Sequence, residues 1–526
     1  MGQRLTDFYK NMKLFIKKSL TQLLAAPDEE GSTLKRTLGT GAIVALGIGA
    51  IIGAGLFVRT AAAAAQNAGP SVTIGFVIAA IGCAFAGLCY AEFASMIPVA
   101  GSAYTYSYVT MGEFIAWIIG WDLILEYGVG AATVGIAWSE YLNKLLNIFG
   151  LNIPYEWCHS PFEKITDPKT HAILEHGIVN LPGIFIIFLL TLVLIKGTKG
   201  SAFVNSIIVV VKVAIVLIVI ALGWHYIVPA NHVPFIPKPS IYTDAAGVDH
   251  NFGGIKGILG AAGVVFFAFI GFDAVSTAAQ EAKNPKKAMP IGILGSLAIC
   301  TVLYVLFSYV LTGVATTEDF RTHGKEASVA YAIEHMAGGL VNGVWIAKYQ
   351  WLSNMVTIAI LAGFSSVILV MLLGQSRVFY SMSRDGLLPK SFSDVHPKYS
   401  TPYKSNWIIF VLVSLFAGFV PGDIVGEMTS IGTLFAFILV CIGVWIMRVK
   451  NPEIPRAFKT PAVKFTATMG VLVCSAMIYG LGWTNWARLV VWLLIGFIVY
   501  FGYSVKHSKV RKGDVVLPVD PPSPEL

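Results

Sequence analysis

Long apolar runs separated by short polar stretches pattern this chain; examples are 178–195, 207–222, 291–311 and 407–420. A helix needs about 20 apolar residues to cross a hydrocarbon core roughly 30 Å thick, and the runs meet that need. Twelve such stretches are predicted as helices, at 40–62, 71–97, 114–142, 177–196, 202–225, 256–280, 289–314, 350–378, 405–420, 425–448, 463–483 and 487–506. Lys and Arg in the connections set the orientation, because cytoplasmic loops retain them. Lys196 and Lys199, Lys283, Lys286 and Lys287, Arg384, Lys390 and Lys398, and Arg448, Lys450, Arg456 and Lys459 fall in alternate connections. Lys35 and Arg36 before the first span and Lys509, Arg511 and Lys512 after the last put both termini on that same side, which requires an even number of spans. The expected fold is therefore an all-α polytopic membrane protein of twelve transmembrane helices.

Two spans break the pattern. The first carries Gly47-Ile48-Gly49-Ala50-Ile51-Ile52-Gly53-Ala54-Gly55, and the sixth carries Gly263 and Gly271 around Phe266-Phe267-Ala268-Phe269-Ile270. Glycine-interrupted helices at corresponding positions of two halves point to an inverted-repeat transporter and its substrate site. Unwound backbone in the membrane must be satisfied by something other than lipid. A zwitterionic amino acid suits it: the carboxylate takes N–H groups at a half-helix start, and the ammonium takes carbonyls at a half-helix end. The competing reading of the same glycines is close helix–helix packing through small residues.

Composition agrees with the membrane reading. The 526 residues are 56% hydrophobic and 13% charged, against about 25% charged in soluble domains. The net charge of +8 is spread between apolar spans, which argues against nucleic acid. Of the six cysteines, Cys83, Cys89, Cys300, Cys441 and Cys474 lie in apolar spans and Cys158 in a loop. No Cys/His spacing suggests a metal, so neither metal nor cofactor is expected. No phosphate-binding loop, zinc-protease helix or nucleophile elbow is present, so the chain does not read as an enzyme. A basic amphipathic stretch over 5–24, with Lys10, Lys13, Lys17 and Lys18 among Phe8, Phe15 and Leu20, is predicted to lie as a helix on the cytoplasmic membrane surface. A disordered basic leader is the alternative.

Ionisable residues inside spans are functional candidates by default. Lys212 stands deep in the fifth span, where its protonation state is a candidate switch; permanent structural pairing is the other reading. Glu126 in the third span is a candidate partner for Lys212, a contact for a cationic ligand, or a hydrogen-bonded structural acid. Asp122 precedes it by four residues, on the same helix face. Asp273 and Glu281 read as gate or structural ion pairs.

Five separated signatures give the chain a family likeness. They are Leu46–Val58 around the glycine break; Cys89-Tyr90-Ala91-Glu92-Phe93 with the Pro98–Tyr104 stretch; Phe266–Asp273; Glu281-Ala282-Lys283-Asn284-Pro285; and Met382–Pro389. In this order the chain resembles the amino acid–polyamine–organocation superfamily, most closely its bacterial cationic-amino-acid-transporter branch, over nearly its whole length. The resemblance implies a fold like that of the sodium-coupled leucine transporter, with two inverted five-helix repeats and two extra helices. It divides the chain into a cytoplasmic segment (1–36), a transport core (37–448), two further spans (449–506) and a cytoplasmic tail (507–526). It implies that Ile51, Ala54 and Gly55 meet the substrate's amino and carboxylate groups, and that Phe267 and Ile270 supply carbonyls and an aromatic gate. Lys212 matches a lysine that takes the place of a sodium ion in proton-coupled relatives, with Ser365 and Ser366 as remnants of the ion site. Glu126 matches an acid near the pocket. The expected function is sodium-independent, proton-coupled secondary transport of small neutral or cationic L-amino acids across the plasma membrane, with membrane lipid as surroundings and a small membrane subunit left open. Uniport or exchange is the alternative, and a non-transporting amino acid receptor the alternative of another class.

Overall fold

The computed structural model describes residues 14–18, 38–97, 102–166, 173–196, 201–244, 247–322, 328–341, 344–399 and 401–512. Each apolar stretch singled out above is helical over most of its length. The principal helices are α1 (Thr40–Ile51), α2 (Val72–Met96), α3 (Ser102–Thr110), α4 (Glu113–Leu123), α5 (Gly130–Ile148), α6 (Leu181–Lys196), α7 (Ser201–Trp224) and α8 (Gly254–Val265). They continue with α9 (Pro285–Val314), α10 (Ser328–Met336), α11 (Gln350–Arg384), α12 (Tyr403–Phe419), α13 (Gly422–Lys450), α14 (Val463–Gly480) and α15 (Trp483–Val499). Among the described residues nine helical stretches are long and apolar enough to cross a membrane, and α6 and α12 are shorter apolar helices. One of the nine runs from Thr40 to Met96, 57 residues. At 1.5 Å per residue that is roughly 85 Å, far more than one crossing. Gly69, at φ 55°, breaks the run before Pro70. Three two-stranded antiparallel hairpins occupy connections: β1–β2 (Lys164–Thr166, Ile173–His176), β3–β4 (Ser240–Thr243, Asp249–Phe252) and β5–β6 (Gly338–Val341, Val344–Ala347).

Large apolar side chains face outward along the helices, including Val210 at 68%, Phe465 at 61% and Ile498 at 73% exposed. Such faces suit lipid and not water. Inside, one continuous apolar core runs through α1, α2, α4, α5, α8, α9, α11 and α13.

Residues 14–18 and 508–512 converge on Glu113 and Asp385. Residues 14 and 15 form a turn, and 16–18 continue without regular secondary structure. Phe114 N donates to Leu14 O at 3.1 Å and Glu113 N to Ile16 O at 2.9 Å, and Lys18 pairs with Asp385 at 2.7 Å. These residues are therefore not part of the surface helix expected over 5–24, because their backbone groups bond the start of α4 instead. The remainder of that stretch lies outside the described residues, as does 513–526. Glu113, fully buried, accepts from Tyr108 OH at 2.9 Å, Tyr500 OH at 3.0 Å and Arg511 Nε at 2.5 Å, and from the Ser508 hydroxyl. Removing one partner of a buried pair leaves an uncompensated charge, at about 3–5 kcal/mol. Arg511→Ala should therefore lower the melting temperature of the purified protein by several degrees. Adding Glu113→Gln should recover part of the loss.

Candidate functional site

The glycines of the first span do break its helix. α1 ends at Ile51, Ile52 is extended (φ −73°, ψ 102°), and the chain resumes as wide helical turns over Gly55–Arg59. The carbonyls released at the end of α1 are taken from two directions. Lys212 Nζ, from α7, donates to Gly49 O at 3.0 Å and Ile52 O at 2.9 Å. The Tyr304 hydroxyl, from α9, lies 2.9 Å from both Ile51 O and Ala268 O, and its single hydrogen serves one at a time. Past the break, Gly53 O accepts from Leu56 N at 3.2 Å and Phe57 N at 3.4 Å. The N–H groups of Gly53 and Ala54 bond no acceptor among the described residues. They stand at the start of the outer half-helix, where the dipole favours an anion.

The sixth span breaks in the same way. After α8 the chain tightens over Phe266–Phe269, Ile270 turns extended (ψ 137°), Gly271 takes φ 108°, and Asp273–Glu281 follow as a second tight helical run. The two breaks touch: a Cβ on Gly55 would lie 2.1 Å from Ala268 Cα, and one on Gly271 would lie 3.0 Å from Ala50 O. The packing reading of Gly55 is thus realised at the same place as the candidate site. Backbone from both spans is brought together, and Tyr304 bridges the two.

Glu126 is not the partner of Lys212. It sits in a wide-turn stretch, Ile124–Val129, and its buried carboxyl lies near that of Asp273, with no hydrogen-bond donor on either oxygen among the described residues. Tyr127 OH donates to Asp273 Oδ2. Asp273 accordingly stands beside a second acid and not in the ion pair expected of it; the Glu281 side chain lies outside the described residues. Asp122, one turn earlier, is buried and has no hydrogen-bond partner among the described residues. Ser365 donates to Leu361 O of its own helix at 2.9 Å. α11 meets Lys212 instead through Gly363, where a Cβ would fall 2.6 Å from Lys212 Cε.

Above the breaks, Arg59 closes one side. Its guanidinium is 5.9 Å from the Phe267 ring centroid. It pairs with Asp423 at 2.9 Å and donates to Gly422 O at 2.8 Å. Gly426 makes room for it, since a Cβ there would stand 1.4 Å from Nη2. Below Arg59 remains a cavity of about 20 Å³ lined by Ala54, Val58, Thr133, Ile136, Ala137 and Asp423 among others. That volume holds one water and not an amino acid. Arg59, Asp423 and Tyr304 carry this geometry and were not singled out from the sequence. The only sequence signals were an arginine just past the glycine break and a tyrosine within an apolar span.

A model of the family described as amino acid permease matches residues 38–510. The branched-chain amino acid permease BcaP of Bacillus subtilis (strain 168) is 43% identical over 95% of this chain and 99% of its own length. The methylthioribose transporter of the same organism is 38% identical over the same shares, 95% and 99%. The vacuolar cationic amino acid transporter 4 of Arabidopsis thaliana is 32% identical over 78% of this chain and 63% of its own length. With its apolar outward faces and paired helix breaks, the chain belongs to the amino acid permease family of the amino acid–polyamine–organocation superfamily: a multi-pass membrane transporter of amino acids, and not an enzyme.

Proposed function

We propose that this permease is a sodium-independent, proton-coupled symporter of neutral L-amino acids, working by alternating access in the plasma membrane with both termini in the cytoplasm. The observation that carries the coupling is the Lys212 ammonium, bonded to the two carbonyls that the break exposes (3.0 and 2.9 Å). A cation is thereby held at the unwound segment by the chain itself, and moving its proton would free those carbonyls. The twelve-crossing, five-plus-five arrangement has its support in the two touching breaks, in the reversal at Gly69, and in α6 and α12 added to the longer helices. An even count keeps the Lys/Arg-rich ends on one face.

In this reading Ala54 and Gly55, at the open start of the outer half-helix, receive the substrate carboxylate. Ile51, Phe267 and Ile270 line the ammonium with carbonyls once Tyr304 lets go. The neutral preference follows from the acids. Asp423 lines the small, largely apolar cavity but is paired with Arg59, and Glu126 is not in its lining. The branched-chain permease among the relatives agrees with an apolar side chain.

Uptake of labelled amino acids into sodium-free proteoliposomes, with and without an inward proton gradient, tests the proposal. Leucine, isoleucine, valine, alanine, arginine, lysine and methylthioribose form the panel. Gradient-driven accumulation of the neutral members is expected. Uptake that ignores the gradient would leave a uniporter or exchanger. Preferential arginine or lysine uptake would overturn the neutral assignment, and uptake of none would overturn the amino acid reading.

A further inference from the structure

The C-terminal end of α5 grips the surrounding elements through four neighbouring residues. Tyr141 OH donates to Phe57 O at 3.3 Å, just past the first-span break. Lys144 pairs with Glu334 of α10 at 3.0 Å. Asn143 holds the connection 149–166 through both of its amide ends, to Ile153 O at 3.3 Å and Ile153 N at 3.0 Å. Glu140 holds the same connection through an ion pair with His159 Nε2 at 2.9 Å. The same α5 lines the cavity one turn earlier, at Ile136 and Ala137.

Only the His159 grip titrates near neutral pH. Its second ring nitrogen, Nδ1, lies 3.1 Å from Tyr155 O. Both nitrogens therefore face groups that only accept, a carboxylate and a carbonyl, and only the doubly protonated imidazolium can serve both. The ring also stacks on Tyr155 with centroids 3.7 Å apart, a placement that favours the cation. The groups around it are Glu140 from α5, the Tyr155 carbonyl, and Glu163, which accepts from Ser160 N at 2.8 Å. No lysine or arginine pairs with Glu140 among the described residues. Burial by itself would lower the histidine, but Glu140, Tyr155 and Glu163 together raise it above its ordinary value of 6.5.

We propose that His159 is a pH-sensitive latch, fastening residues 149–166 to the end of α5 when protonated and releasing them when neutral. The folded-state value is raised, so the latch's contribution is complete below the unfolded value near 6.5 and is lost as pH rises through the raised one. The latch stands apart from the question of proton coupling, since it needs no proton to cross the membrane.

Cys158, next to the latch, reports on it. It is 1% exposed, and its thiol is pushed up to about 11 by burial and by Glu140. The other cysteines, Cys83, Cys89, Cys300, Cys441 and Cys474, are buried in α2, α9, α13 and α14. The experiment is the rate of maleimide labelling of Cys158 in the purified full-length protein, from about pH 5.5 to about pH 8.5. The wild-type rate is divided by that of His159→Gln at each pH, each rate first being corrected for the Cys158 thiol pKa measured in that protein. The ratio is expected to be well below one at the acid end and to rise toward one, by up to about tenfold per pH unit. His159→Arg, permanently charged, should stay protected throughout. A ratio that does not change with pH would overturn the latch, and so would a His159→Arg protein that loses protection as the wild type does. Should His159→Gln not fold, wild type against His159→Arg reads the same comparison.

Discussion

Replacing Lys212 with alanine is expected to abolish concentrative uptake while sparing substrate binding and exchange. The ammonium satisfies Gly49 O and Ile52 O inside the membrane. Its stem threads past Gly363, which has no side chain to obstruct it. Without the amine those carbonyls lose their donor, at about 1–3 kcal/mol for each one left unpaired. A moderate fall in melting temperature is therefore expected whatever the role of the residue, and stability alone cannot distinguish the readings. Coupling predicts a split: accumulation falls to the external concentration, while counterflow of labelled for unlabelled substrate continues, because exchange needs no net proton movement. Measuring both in the same proteoliposomes decides it. Accumulation at the wild-type level would make Lys212 a structural clamp on the break, and loss of counterflow together with binding would make it part of the binding geometry.

The second large effect is steric. Gly55→Ala is expected to remove measurable substrate binding and uptake, whereas Gly53→Ala should keep most of both. At Gly55 a Cβ would fall 2.1 Å from Ala268 Cα and 2.5 Å from Ala268 N, so the backbone of the sixth-span break itself would have to move. At Gly53 the nearest atom is Val367 Cγ2 at 3.1 Å, a side-chain methyl on α11 that can give way. Overpacking against a fixed backbone costs about 1–3 kcal/mol or more, and here the strain lands where the two broken spans cross. Binding of a labelled neutral amino acid to the purified variants, with a melting curve to confirm that each is folded, separates the two. Wild-type affinity in Gly55→Ala would mean that contact between the breaks is not needed to form the site.

These expectations draw on features of unequal visibility in the chain. The apolar stretches could be read closely: Val72–Met96 was expected at 71–97 and Gln350–Arg384 at 350–378. The two helix breaks and the odd lysine of the fifth span were equally visible, because glycine in a membrane helix and a charge among valines are local anomalies. What bonded to what was not visible. Glu126 was a reasonable partner for Lys212 by charge alone, yet Lys212 reaches carbonyls 163 and 160 residues away, and Glu126 lies near Asp273. The Arg59–Asp423 pair joins residues 364 apart. Ser365, expected beside the lysine, turns back on its own helix while Gly363 takes that neighbouring place. The stretch 14–18 looked amphipathic, but its peptide groups found Glu113 and Phe114 and did not close a helix.

By itself, then, the sequence determined which segments belong in lipid, where two of them must unwind, and which ionisable side chains would be stranded inside. Those properties follow from the desolvation cost of each residue and from the backbone freedom of glycine, which are paid or spent locally. Only the tertiary structure decided how the stranded groups were satisfied. A released carbonyl can be met by a lysine, a tyrosine hydroxyl or a ligand at similar gain, and the choice rests on which helix crosses within 3 Å of it. For Gly49, Ile51 and Ile52 that choice fell to Lys212 and Tyr304, leaving the N–H groups of Gly53 and Ala54 without an acceptor among the described residues.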